Sequence, residues 1–312
     1  NSESVDATPL FLIATHRYLA ETDDREFAAI IMPHVHAALR WITEFGDKNN
    51  DGFVDYSFHS DRQGGGLRVQ SWMDSTESLF FEHNGDTPAY PIAPVEVQAY
   101  VYHALSLWSE YFKTENPELA SQLRARAVAL KAHFNNRFVR SVRKRVNVAF
   151  AIDGRGETLL SPRSSIAHCL WAVSPVEGAQ FPDGILEDEY VEGVVARLLS
   201  RDLFVPRAGI RTLSSRSLKF DPTSYHNGSI WPHDTAMCAE GFENFGFFEE
   251  ARRVREGAIS AWSHFTTPIE LFGYQRGGYC EYQGIDGQKA CRRQAWSAAS
   301  LLATLSHQGE KN

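Results

Sequence analysis

Cysteine is scarce in this chain. There are four in 312 residues, Cys169, Cys238, Cys280 and Cys291, and none forms a CxxC pair. That spacing argues against a zinc site and leaves free, buried thiols as the expectation. Long apolar runs are missing as well: none approaches the ~18 residues that cross a bilayer. Positive charge is not in excess, since 31 Lys and Arg stand against 39 Asp and Glu for a net charge of −8. Nucleic acid and anionic membrane surfaces, which call for a basic face, are therefore not expected partners. The first residues, NSESVD, are polar and lack the basic start and apolar core of a signal peptide. They also lack an initiator methionine, so the chain reads as part of a longer one, and a cytoplasmic location is expected. Strand-like alternation is rare; the best candidate is VNVAFAID at 146–153.

Aromatic residues are plentiful by contrast, with 7 Trp, 11 Tyr and 20 Phe. Trp41, Trp108 and Trp262 fit an ordinary core. Others fall at junctions between loops and helices, where an indole face can stack on the apolar C–H face of a sugar. Helical periodicity dominates the rest. Thr8 and Pro9 signal a first helix, and Thr22 a second in which Pro33 predicts a kink or restart. Helices are predicted over 95–113 and from Asn116, joined by a connection short enough to make them antiparallel neighbours. Further helices are predicted over 164–173, 187–200, from Pro232, over 247–265 and over 294–306. The basic run 140–145 reads as a solvated patch. The pattern is helix, short turn, helix, long loop, and long loops in a compact domain are usually functional. If the hairpins pack around one axis, these loops gather at one end.

The loop DKNNDGFVDY at 47–56 matches the first half of a calcium loop. Its twelfth position is Phe58 instead of a bidentate Glu, so a tight Asx-turn loop is the preferred reading. No metal or organic cofactor is expected. The stretch 66–102 concentrates chemistry. Asp74 follows Trp72 and Met73, and a carboxyl shielded by an indole favours its neutral form, as a general acid requires. Glu96 and Gln98 sit one turn into the next helix, placed to bind sugar hydroxyls. From spacing alone, Asp74, Glu270, Asp221, Asp234 and Glu96 all compete as a carboxylate pair. Trp72, Trp231 and Trp296 offer stacking faces, although Trp296 also suits a helix core. Tyr225, His226 and Asn227 offer donors and acceptors, although His226 also suits a helix cap or a backbone partner. Asp234 and Glu96 have an alternative role as acids favoured by a helix dipole. Arg211 could orient a carboxylate or pair on the surface.

Seven motifs occur in order: SVDATPLFL (4–12), the DGF loop, QSWMDS (70–75), PIAPVEVQAYVY (91–102), YHNGSIWPHD (225–234), IELF (269–272) and ACRRQAWSAAS (290–300). Together they resemble the glycogen-debranching-enzyme-like, amylo-α-1,6-glucosidase type of glycoside hydrolase. The resemblance spans nearly all of residues 1–312 and implies a single all-α domain, an (α/α)6 barrel of helical hairpins. Members carry another hairpin, and often a β-rich domain, before the point where this chain begins, so a ring without its first hairpin is expected. The resemblance implies inverting hydrolysis of a terminal α-glucosidic bond, the α-1,6 stub of a glucan or oligosaccharide. It makes Asp74 the general acid and Glu270 the general base. Trehalase-, rhamnosidase- and mannosylglycerate hydrolase-like enzymes are the alternatives on the same ring, and a non-catalytic oligosaccharide-binding remnant is another. Arg292 and Arg293 depart from the family pattern, which has Pro before Gln294.

Overall fold

The helix α1, Ala7–Thr22, turns one face inward, burying Pro9, Leu12, Ile13, Thr15 and Leu19. It belongs to a computed structural model that describes residues 4–58, 66–142, 145–285 and 287–309. The chain leaves α1 through Asp23, which has a left-handed backbone, and Asp24 then caps α2 (Arg25–Glu44) by accepting the Phe27 N–H at 2.9 Å. Thr22 is therefore the last residue of α1 and not a cap. Asp6, not Thr8, stands at the N-cap of α1. Pro33 lies on the exposed side of α2, and the helix runs through it without a break.

The helix α3, Val95–Tyr111, is buried on nearly every side, as an all-round apolar helix must be. Asn116 caps α4 (Pro117–Arg137), accepting the Leu119 N–H at 3.2 Å, and α4 returns along α3. A 3-10 turn, Ser164–Ala167, leads into the short α5 (His168–Trp171), followed by α6 (Asp188–Leu198). The pair α7 (Pro232–Asn244) and α8 (Phe248–Phe265) packs closely, and α9 (Ala295–Gly309) lies against α7.

Contacts between helices follow one rule. The odd-numbered helices touch in succession, α1 to α3, α3 to α5, α5 to α7 and α7 to α9. Of the even-numbered ones, α2 backs α1, α4 backs α3 and α8 backs α7, while α6 packs on the 3-10 turn before α5. This is the inner and outer layering of an all-α hairpin barrel. Links from an inner to an outer helix are mostly short. Links from an outer to the next inner helix are long, so the long loops gather where the inner helices start.

Strands occur only as short pieces in those loops, among the described residues. β1 (Ala93–Pro94) pairs antiparallel with β4 (Ala151–Ile152), which pairs with β5 (Thr158–Leu159). β2 (Val139–Val142) and β3 (Arg145–Val148) form a hairpin, so the predicted strand at 146–153 is split between two sheets. Arg143 and Lys144 of the basic run lie outside the described residues. β6 (Phe204–Val205) pairs with β7 (Gly209–Ile210), and β8 (Phe272–Gln275) with β9 (Gly278–Glu281). Isolated bridges join Arg211 to Ile230 and Ile230 to Phe272, placing Glu270 just before a strand that runs beside the 225–231 loop. Cys169 and Cys238 are buried thiols as expected, whereas Cys280 is half-buried and Cys291 is exposed.

Candidate active site

Each inner helix begins with a residue of one cluster. Asp6 precedes α1, Glu96 is second in α3, His168 opens α5, Asp234 is third in α7 and Trp296 is second in α9. His168 joins them. Its Nδ1 lies within hydrogen-bonding distance of the Tyr100 hydroxyl, and its Nε2 is 2.9 Å from Oδ1 of Asp234. Trp72 stacks on the His168 ring at 5.9 Å and meets the edges of Trp231, His226 and His233. Trp296, 41% exposed, lies flat on His233 with ring centres 4.2 Å apart. It is thus a surface residue packed on His233 and not a core one.

Asp74 is half-buried two residues after Trp72, within electrostatic reach of Asp6, Glu270 and Tyr225. Burial raises its pKa from the ordinary aspartate value, and the charges of Asp6, Glu270 and Glu77 add to the rise. Glu270 has a different setting. It is 8% exposed, its Oε1 accepts from the Tyr225 hydroxyl at 2.7 Å, and its Oε2 accepts from the Cys291 backbone N–H at 2.7 Å. The Glu270 N–H in turn bonds the Cys291 carbonyl, so both ends of the residue are fixed. Tyr225 leans edge-on against Trp231, whose Nε1–H donates to the Tyr225 carbonyl at 2.8 Å. The turn that follows requires Gly228: its φ is +144°, and a Cβ would come within 2.6 Å of the Phe220 ring.

Glu96 is buried and pushed up to about 7 by burial, with nearby His168 drawing it down. Burial also raises Asp6. His226 and His233 are held neutral by burial, His233 down to about 4 and His226 well below its ordinary value. Several buried polar atoms here have no partner among the described residues: Trp72 Nε1, His226 Nε2, His233 Nδ1 and Asp234 Oδ2. Donors and an acceptor left open in one aromatic box suit a ligand that both gives and takes hydrogen bonds, as sugar hydroxyls do.

Two expected ligand contacts serve the scaffold instead. Gln98 is fully buried. Its carboxamide oxygen accepts from the Val54 N–H, and its nitrogen donates to the Val54 and Pro94 carbonyls. Asn227 donates to the Glu77 carbonyl at 2.8 Å and accepts from Arg163 at 2.9 Å. Both amides are thus committed to holding the scaffold. Asp221 caps its own turn, accepting from the N–H and hydroxyl of Thr223. Arg211 donates to the Tyr274 carbonyl and lies over Phe220, so it neither orients a carboxylate nor pairs on the surface.

Sequence reasoning misses Asp6, His168, His233 and the wholly buried Arg163. Asp6 lies inside a quoted motif, where Thr8 is the more familiar cap. His168 and Arg163 carry no spacing signal. In the 47–56 loop, Asp47 accepts the Asp51 and Gly52 N–H groups and Asp51 accepts that of Phe53, as in an Asx turn. Among the described residues no three His, Cys, Asp or Glu side chains come together to hold a metal. No described helix is long and apolar enough to cross a membrane.

Residues 1–273 match the family model described as the mannosylglycerate hydrolase MGH1-like glycoside hydrolase domain. No curated protein matches the sequence. Among solved structures, a GH63 mannosylglycerate hydrolase from Thermus thermophilus in complex with glucose is similar, with a TM-score of 0.65 and 19% identity. The match covers 95% of this chain and 74% of that one. An uncharacterised conserved protein from the same organism gives 0.63 and 18% over 95% and 77% of the two chains. The mannosylglycerate hydrolase in complex with Tris gives 0.63 and 17% over 94% and 75%. At these identities the likeness speaks for the fold. The matched family is of the mannosylglycerate hydrolase type and not the debranching type that the sequence motifs resemble.

Proposed function

Because the chain belongs to the mannosylglycerate hydrolase MGH1-like glycoside hydrolase family, we propose that it is an inverting, exo-acting hydrolase of a short α-glycoside, with Asp74 as general acid and Glu270 as general base. The observation that carries this reading is the contrast between the two carboxyls at one aromatic box. Asp74 is raised by burial and by the charge of Glu270, while Glu270 accepts from two fixed donors. A carboxyl that burial keeps protonated suits the acid, and a carboxylate held in place by donors suits the base.

In the proposed reaction the Asp74 carboxyl gives its proton to the glycosidic oxygen as the bond to the anomeric carbon breaks. Glu270 takes a proton from a water whose oxygen bonds to that carbon from the opposite face. Trp72, Trp231 and Trp296 form the walls. Asp6, Glu96, His233 and Asp234 face the sugar hydroxyls, and Tyr225 steadies the base. The solved relatives named for mannosylglycerate favour an α-glycoside of a small hydroxy acid over the α-1,6 stub. The ordered motifs keep that stub as the second reading.

The test is product release from α-mannosylglycerate, its α-glucosyl counterpart and a short α-1,6-branched glucan, with proton NMR of the first-formed anomer. Asp74→Asn and Glu270→Gln are expected to lose roughly a hundredfold or more each, the scale of general acid–base catalysis. Turnover that survives both substitutions sinks the site assignment. Turnover of the glucan alone moves the substrate to the second reading.

A further inference from the structure

His226 stands directly behind the residue proposed as the acid. The Ser75 backbone N–H lies 3.3 Å from its Nδ1 and the Ser75 hydroxyl 2.9 Å. A backbone amide can only donate, so Nδ1 must present a lone pair and the ring proton must sit on Nε2. The ring cannot turn away. It is buried, stacks on Trp231 at 4.9 Å and meets the edge of Trp72 at 5.6 Å. Its carbonyl accepts from the buried Arg163 at 2.8 Å. Arg163 and His233 are near enough to press the ring further toward its neutral form.

The same short segment and Arg163 together grip the rest of the acid-bearing loop. Asn227 holds the Glu77 carbonyl, and Arg163 holds the Ser78 carbonyl at 2.6 Å. On the other side, Tyr225 holds Glu270. Three consecutive residues therefore tie the two carboxylates to one piece of backbone.

On the proposed hydrolase reading, we infer that His226 is a positioning residue for Asp74: its Nδ1 fixes the Ser75 amide, which sets the peptide plane attached to Asp74 and so aims the carboxyl. Arg163 locks His226 in turn.

The test compares His226→Phe, which keeps a stacking ring without an acceptor, with His226→Asn, whose carboxamide oxygen stands close to where Nδ1 was. His226→Phe is expected to lower kcat by about tenfold or more with KM within about twofold, the pattern of an interaction needed only in the transition state. The alkaline limb of kcat/KM should shift with it, and His226→Asn should recover most of the loss. Two kinetic outcomes overturn the inference: a His226→Phe chain with parental kcat, or a folded His226→Asn chain as impaired as His226→Phe. Two readouts need no turnover and so separate this inference from the functional reading. Nitrogen NMR of the unmodified chain should show His226 with Nε2 protonated and Nδ1 bare from about pH 5 to 8, the range in which an unperturbed histidine titrates. The carbon-detected titration of Asp74 should differ between parent and His226→Phe. A proton on Nδ1, or an unchanged Asp74 titration, overturns the inference even if no glycoside is cleaved.

Discussion

Glu96 enters α3 at its second position and is buried there, where loss of water pushes it up to about 7. Its folded-state pKa exceeds the ordinary 4.5, so the folded chain holds a proton that the unfolded chain releases. The penalty is absent below about 4.5, grows as pH rises and is complete above about 7. Glu96→Gln is therefore expected to stabilise the chain by an amount that rises across that window and is flat beyond it, read as the difference in urea midpoint at matched pH. A difference that stays constant from about pH 4 to 8 contradicts this. Single residues are also where the sequence is least legible. Trp72, Asp74, Tyr225 and Glu270 stand in quotable motifs and do meet in one place. Gln98 and Asn227 look equally apt, because an amide that holds a backbone carbonyl cannot be told from one that holds a sugar until the fold supplies the carbonyl. His168 is invisible, since its partners Tyr100 and Asp234 come from two other helices.

Helices are legible in kind and less so at their ends. The predictions over 95–113 and 247–265 agree with α3 and α8 within a residue or two, because periodic apolar spacing fixes which stretch buries a face. The start of α2 moves from Thr22 to Asp24, since both residue types cap well and only the backbone decides between them. Pro33 brings neither break nor restart. It sits on the exposed side of an outer helix, where a lost N–H is least costly. Pro33→Ala should restore an intrahelical hydrogen bond and raise stability by up to ~3 kcal/mol, the scale of proline in an exposed helix interior. Chemical denaturation gives the value, and a destabilised variant would show that Pro33 serves packing.

At the scale of the whole molecule, two sets of buried groups oppose each other. His103, pushed down to about 3, His233, down to about 4, and His226 stay neutral on folding, so each weakens the fold as pH drops below its ordinary 6.5. Asp55 and Glu96, both raised to about 7, weaken it as pH climbs from their ordinary values. Between about 4.5 and 6.5 the slopes partly cancel. Stability is therefore expected to be nearly level there and to drop below about 4, where the carboxyls no longer offset the histidines. Urea melts at successive pH values decide, and a steep climb from pH 4.5 to 6.5 would rule out the balance. The succession of hairpins is legible from helix, turn, helix, loop order, whereas their closing into a ring comes from the family resemblance and the meeting of the loops is only a conditional expectation. That meeting has a consequence for how the molecule comes into being. Asp6 and Trp296 bracket almost the entire chain, and each inner helix between them contributes one buried polar residue, Glu96, His168 and Asp234 in turn. A nascent or clipped chain cannot assemble this cluster, so on the proposed reading a bound sugar is expected to act as a keystone, slowing hydrogen exchange in helices far from any atom it touches.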